Sequence, residues 1–236
     1  MLLNSVRADS DQRETHAEKA DRRLEDQMTA MIRSGHYRVI LADPPWSFAT
    51  YSPKGKGRSA EAHYDCLSFA EIKALPVAQW AAPDCALFLW ITDPSLPKAL
   101  EVIEAWGFTY KTVAFTWAKT TRDGTGFPIG CGYWTRANPE QCLLATRGGP
   151  QRLSRSVRQL ILAPRREHSR KPDEVYERIE ALVPGPYLEL FARASREGWD
   201  VWGHEVETGP AQRRWASNSY PAATPLVATT SIGDTP

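Results

Sequence analysis

The chain has 236 residues, of which 42% are hydrophobic and 24% charged, enough to bury one sizeable core in a soluble domain. A formal net charge of +1 excludes neither nucleic acid nor small molecules as partners, because a local basic patch can sit on a nearly neutral protein. The four cysteines form no C-x-x-C pair and the five histidines no H-E-x-x-H, so no metal is expected. No signal-peptide pattern opens the chain, and no stretch approaches the roughly 18 apolar residues of a membrane span. A cytoplasmic location without membrane contact is therefore expected.

Residues 1–36 form a stretch dense in both charge signs, read as an arm, partly helical or disordered. The run Tyr37-Arg38-Val39-Ile40-Leu41-Ala42 then changes character sharply. It is apolar and β-branched and stops at two prolines, as expected for a buried strand running into a loop, with Asp43 at its carboxyl end.

Further strands are predicted at Cys85 to Thr92, Thr112 to Trp117, Gln141 to Thr146 and Tyr187 to Ala192. A helix is expected from an Asp93-Pro94 start, with Leu96, Leu100 and Ile103 on one face, until Gly107 stops it. A second begins near Pro172 and aligns Val175, Ile179 and Leu182. Residues 49–62 and 120–132 read as mobile loops. The domain is expected to run from 37 to 207, and residues 208–236, rich in Pro, Ala, Ser and Thr, read as a disordered tail. Strands alternating with helices give an α/β fold, a mainly parallel sheet with helices on both faces, whose ligands bind beyond the carboxyl ends of the strands.

Asp43-Pro44-Pro45-Trp46 sits at such an end. An aromatic amine is a poor nucleophile because its lone pair is delocalised into the ring. Two hydrogen-bond acceptors that favour a tetrahedral nitrogen, held in line with a methyl donor, remedy this. The Asp43 carboxylate and the Pro44 carbonyl can act as those acceptors, the paired prolines fix the backbone, and Trp46 offers a flat face to a base. The plain alternative for four residues alone is a strand-ending turn.

With Asp43-Pro44-Pro45-Trp46 come Leu87-Phe88-Leu89-Trp90, Trp106-Gly107-Phe108, His168-Ser169-Arg170-Lys171-Pro172-Asp173-Glu174 and Glu189-Leu190-Phe191-Ala192-Arg193, in that order. Together they resemble the MT-A70 family of adenine methyltransferases, over roughly residues 38–206, most closely its compact prokaryotic or phage members. The resemblance implies a Rossmann-like class I methyltransferase fold with permuted motif order, and S-adenosylmethionine as methyl donor. It implies that Lys171 binds the cofactor carboxylate and that Arg193, Ser195 and Arg196 lie near the ribose. His204 and Glu205 would approach the ribose and adenine end, and Asp43, Glu189 and Phe191 would join this cofactor set. It also implies that Tyr64, Trp90 and Glu140 border the target base. The family usually has asparagine where this chain has His204.

Lys54, Lys56 and Arg58, with Arg147, Arg152, Arg155, Arg158, Arg165, Arg166 and Arg170, are candidates for phosphate contacts at the site mouth; the plain alternative is solvated surface charge. The implied substrate is the exocyclic N6 amine of adenine, in DNA before RNA. The alternatives are an RNA enzyme, a catalytically silent nucleic-acid-binding subunit, or an amine methyltransferase acting on protein or a small molecule. A homodimer, or a heterodimer with a related subunit, is a further possible arrangement.

Overall fold

In a computed structural model of the chain, residues 32–46, 67–130, 132, 134–166 and 170–203 are described. Residues 1–31 of the charged arm, the loop expected at 49–62 and the tail proposed from sequence lie outside them. From residue 33 onward the chain forms one unit around a single sheet. Its strands are β1 (Tyr37–Ala42), β2 (Ala81–Ile91), β3 (Thr109–Thr120), β4 (Glu140–Arg147), β5 (Leu160–Pro164), β6 (Tyr187–Leu190) and β7 (Trp199–Trp202). The helices are α1 (Phe69–Ala74), α2 (Val77–Trp80), α3 (Leu96–Ala105) and α4 (Glu174–Leu182).

The spatial order is β5-β3-β4-β2-β1-β6-β7. Every pairing is parallel except those of β4, which runs against both β2 and β3. The mainly parallel sheet expected from sequence is therefore present, with one reversed strand in its interior. The reversal has a functional consequence. It turns the amino end of β4, and with it Glu140, to the edge where β1, β2, β3, β5, β6 and β7 all end.

Helices cover both faces, which is why β2 is buried along most of its length and reads as a continuous apolar run. Val39, Leu41, Ala86 and Phe88 point to one face and meet Val175 and Ile179 of α4. On the other side α3 lies against β2 and β3. The face α3 buries differs from the sequence reading. Ala99, Val102 and Ile103 are buried, whereas Leu96 is exposed. Asp93 opens a short 3-10 turn instead of capping the helix, and α3 starts at Leu96. With the start moved inward, the 3.6-residue period places Ala99, Val102, Ile103 and the following Trp106 over the sheet. Trp106 closes that layer, its indole donating to the Ile72 carbonyl of α1 at 3.0 Å. Strands β5 and β7 were not expected, being short segments flanked by polar residues.

Among the described residues, no helix is long and apolar enough to cross a membrane.

Candidate active site

β1 carries Asp43 off its end, between the ends of β2 and β6. The Trp46 amide donates to the Pro44 carbonyl at 2.8 Å, closing a tight turn that fixes the direction of that carbonyl. Trp46, expected to present a face to a base, is instead buried, and its indole donates to the Trp90 carbonyl at 2.8 Å. It anchors the turn to β2.

Lys171, just ahead of α4, reaches across to this turn. Its Nζ lies 2.7 Å from Asp43 Oδ2 and 3.4 Å from Glu140 Oε2, and 5.4 Å above the Trp90 ring. The other oxygen of Glu140 takes the Lys119 ammonium at 2.5 Å. A chain of alternating charge, Lys119, Glu140, Lys171, Asp43, thus runs along the edge, balanced at two cations and two anions. Burial alone would neutralise its members. In Lys171 that penalty is outweighed by Asp43 and Glu140, which hold its pKa above the ordinary lysine value. In Glu140 it is outweighed by Lys171 and Lys119, which hold its carboxyl below the usual range.

Beside Asp43 opens a cavity of about 300 Å³. It is lined by Asp43, Trp90, Arg170, Lys171, Tyr176, Glu189, Phe191, Arg193, Ser195 and Arg196, among others. Seven residues assigned to the cofactor from sequence therefore converge on one space: Asp43, Lys171, Glu189, Phe191, Arg193, Ser195 and Arg196. They come from β1, the approach to α4, β6 and the segment after it. Glu189 accepts a hydrogen bond from the Tyr176 hydroxyl at 2.9 Å. Burial, only partly offset by that bond, pushes its carboxyl up to about 7. The Tyr176 phenol is raised in turn by burial and by Glu189, so it stays a donor at neutral pH. Arg196 stacks over the Tyr176 ring with its guanidinium carbon 4.3 Å from the centroid.

Phe191 holds a left-handed backbone with φ 63°, a costly conformation for a bulky residue that tends to mark functional sites. The Ala192 amide donates to the Trp202 carbonyl at 3.0 Å, and the Phe191 ring meets Trp202 edge to face at 5.4 Å. Gly203 makes this close approach feasible, because a Cβ there would overlap the backbone of Ala192.

Other sequence assignments fall differently. Trp90 is buried in the sheet while touching the cavity. Glu140 does not line the cavity and engages both lysines with its carboxylate. Tyr64, Lys54, Lys56, Arg58, His204 and Glu205 lie outside the described residues. Of the arginines, Arg147 ends β4 at the edge opposite Asp43 and donates to the Ala78 carbonyl. Arg152, Arg155 and Arg158 lie on the connection that leaves β4 at that far edge and leads to β5, which begins level with the middle of β3. The reversal of β4 is what carries Arg147 to the far edge. Arg165, Arg166 and Arg170 follow β5 on the site's side, with Arg166 and Arg170 bonded to Asp173 at 2.6 and 3.1 Å. Partial burial works against charge on Asp173, but these arginines hold its carboxyl low. Tyr176, Asp173 and the role of Lys119 were missed from sequence. The one available signal was Glu189, a carboxylate in an apolar strand that needs a donor.

An α/β sheet with a cavity at the carboxyl edge of its parallel strands, and an acid in a Pro-Pro turn beside it, has the ligand site of a doubly wound enzyme fold. The MT-A70 family model matches residues 37–205. The type II methyltransferase M.MunI of a Mycoplasma species is 34% identical over 199 residues, spanning 77% of this chain and 82% of that protein. An N(6)-adenosine-methyltransferase MT-A70-like protein of Arabidopsis thaliana is 33% identical over 178 residues, 73% of this chain but 24% of its own length. The human N(6)-adenosine-methyltransferase catalytic subunit METTL3 is 31% identical over 180 residues, 73% of this chain and 29% of its own. The matched region is thus only about a quarter of those plant and animal relatives. The chain belongs to the MT-A70 family, S-adenosylmethionine-dependent methyltransferases of the class that modifies the N6 amine of adenine in nucleic acid.

Proposed function

We propose that this chain methylates the N6 amine of adenine in DNA. The observation that carries the reading is Asp43, fixed in its Pro-Pro turn, ion-paired to partly buried Lys171 and opening onto the cavity. The DNA assignment draws on the likeness to the type II methyltransferase M.MunI, 34% identical over 77% of this chain and 82% of that protein.

The cavity residues fit S-adenosylmethionine. Cationic Lys171 suits the carboxylate of the methionyl part, Glu189 can accept from ribose hydroxyls, and Phe191 with Val175 and Leu41 supplies apolar wall. When bound, this group supplies an electrophilic methyl on a sulfonium. Asp43 and the Pro44 carbonyl accept the two amine hydrogens and turn the nitrogen lone pair toward that methyl. The Pro44 oxygen has a second lone pair for this purpose beyond the Trp46 amide. Lys171 pairs with one oxygen of Asp43 and orients the carboxylate. Glu140 and Lys119 position Lys171. The amine proton becomes acidic as the nitrogen gains charge, so no strong base is required. Arg165, Arg166 and Arg170 border the site as phosphate contacts. In a prokaryotic cell such an enzyme works in the cytoplasm with the nucleoid, alone or as a dimer.

The test incubates purified protein and Asp43→Ala with labelled S-adenosylmethionine and double-stranded DNA, single-stranded DNA or RNA, followed by nucleoside mass spectrometry. Methyladenine in DNA, absent in the variant, is expected. Transfer to RNA alone would reassign the substrate. Cofactor binding without transfer to any polymer would make the chain a silent subunit.

A further inference from the structure

Glu189 of β6 meets the cavity with one carboxylate oxygen already engaged. Among the described residues its Oε1 takes the Tyr176 hydroxyl at 2.9 Å, which leaves Oε2 for a ligand in the cavity that both side chains line. Tyr176 comes from the first turn of α4, whose Val175 and Ile179 are buried against the sheet. One residue on from Val175, it lies at the margin of that core face and reaches the cavity with its polar end.

The phenol ring is held on two sides. Trp199 of β7 meets it edge to face at 5.2 Å, and Tyr187 stacks on Trp199 at 4.7 Å. The Arg196 guanidinium lies over the Tyr176 ring. Glu180, one turn further along α4, joins the two supports: its Oε1 accepts from the Trp199 indole at 2.7 Å and lies 3.7 Å from Arg196 Nε. Side chains from α4, β6, β7 and the segment between those strands therefore fix the place of one hydroxyl. Arg196, assigned to the ribose from sequence, is part of this brace.

We propose that Tyr176 is a positioning residue for the methyl donor: its braced hydroxyl fixes one oxygen of Glu189 and aims the other at the ribose hydroxyls. A phenol is a neutral donor. It orients the carboxylate without cancelling the charge that makes this group the stronger acceptor, as an arginine or lysine in its place would. The charged groups around Glu189 in the cavity are Asp43 from β1, Arg170, Lys171 and Asp173 ahead of α4, and Arg193 and Arg196 after β6. Burial and Asp43 favour its protonated form, whereas Tyr176, Arg196 and Arg170 favour the carboxylate. The inference rests on the reading of Glu189 as a ribose acceptor.

The experiment measures the affinity of S-adenosylhomocysteine, which carries the same ribose, by calorimetry from about pH 5 to about pH 9. It compares wild type, Tyr176→Phe, Glu189→Gln and the double variant. Phe keeps the ring against Trp199 and Arg196 and removes only the hydroxyl. Wild-type affinity should rise through about pH 7. In Tyr176→Phe the rise should move up by about one pH unit, and affinity at neutral pH should fall roughly tenfold, the scale of one lost hydrogen bond to a charged group. With Glu189→Gln already in place, the same substitution should change affinity less than about twofold, because the two residues act as one unit. Melting of the unliganded Tyr176→Phe protein at about pH 5, where Glu189 keeps its proton, should stay close to wild type. An unmoved pH profile in Tyr176→Phe, or an equal loss of affinity with and without Glu189→Gln, would overturn the inference and leave the ribose reading of Glu189 standing. Melting far below wild type with an unmoved profile would overturn it as well and give Tyr176 a part in the core alone. Equal, pH-independent affinity of wild type and Glu189→Gln would overturn the ribose reading and the inference with it.

Discussion

Replacing Glu189 by Gln isolates the one carboxyl in the cavity whose ionisation opposes folding. Burial raises it to about 7 from an ordinary value of 4.5. The folded state therefore holds this proton more tightly than the unfolded chain does. The resulting stabilisation is complete below about pH 4.5 and lost as pH rises to about 7, which the gap converts to at most about 3 kcal/mol. The cavity side of Glu189 is partly open to solvent, so the true loss lies below that ceiling. Gln keeps an acceptor for the Tyr176 hydroxyl and carries no charge. Urea denaturation of both proteins at constant ionic strength should give similar stabilities near pH 4. The variant should gain on wild type between pH 5 and 7, and the difference should level off by pH 8. Cofactor affinity supplies an independent readout. Donors from a ribose favour the ionised carboxylate, so wild-type affinity should rise with pH through 7 while the variant binds weakly and evenly. Parallel stability profiles from pH 4 to 8 would refute the reasoning, because they would mean that Glu189 ionises in the folded protein as it does in water.

Two further outcomes follow from the same geometry. Lys171→Met leaves Asp43 and Glu140 with Lys119 as the cation of the chain, and should cost about 3 kcal/mol at pH 7, measured by denaturation, together with loss of cofactor binding by calorimetry. Glu140 is held below its unfolded pKa, so its share of wild-type stability is present above about pH 4.5 and disappears as pH falls through its folded value; the penalty of the variant should shrink on acidification. Gly203→Ala drives a methyl into the Ala192 backbone and should destabilise by about 1–3 kcal/mol while weakening the cofactor site through Phe191; an unchanged melting temperature with unchanged affinity would count against the close approach described.

Asp43 and Lys171, which the fold brings together, were legible because their local pattern has few physical readings. An apolar run halted by Pro-Pro puts an acid at a strand end, and a lysine before a proline at a helix start makes an anion site. The buried halves of β1, β2 and β6 were legible for the same reason, since strands covered on both faces read as unbroken apolar runs.

Partnerships across the sheet were decided by the fold alone. Nothing in the order of residues says that β4 runs backward, yet that reversal brings Glu140 to Lys171 and carries Arg147 to the far edge. Nor does it say that Tyr176 meets Glu189 or that the buried Trp46 indole bonds the Trp90 carbonyl. Local sequence sets strand and turn propensity within a few residues. Which charges meet depends on strand direction and on the faces buried, and both are chosen by packing over the whole core.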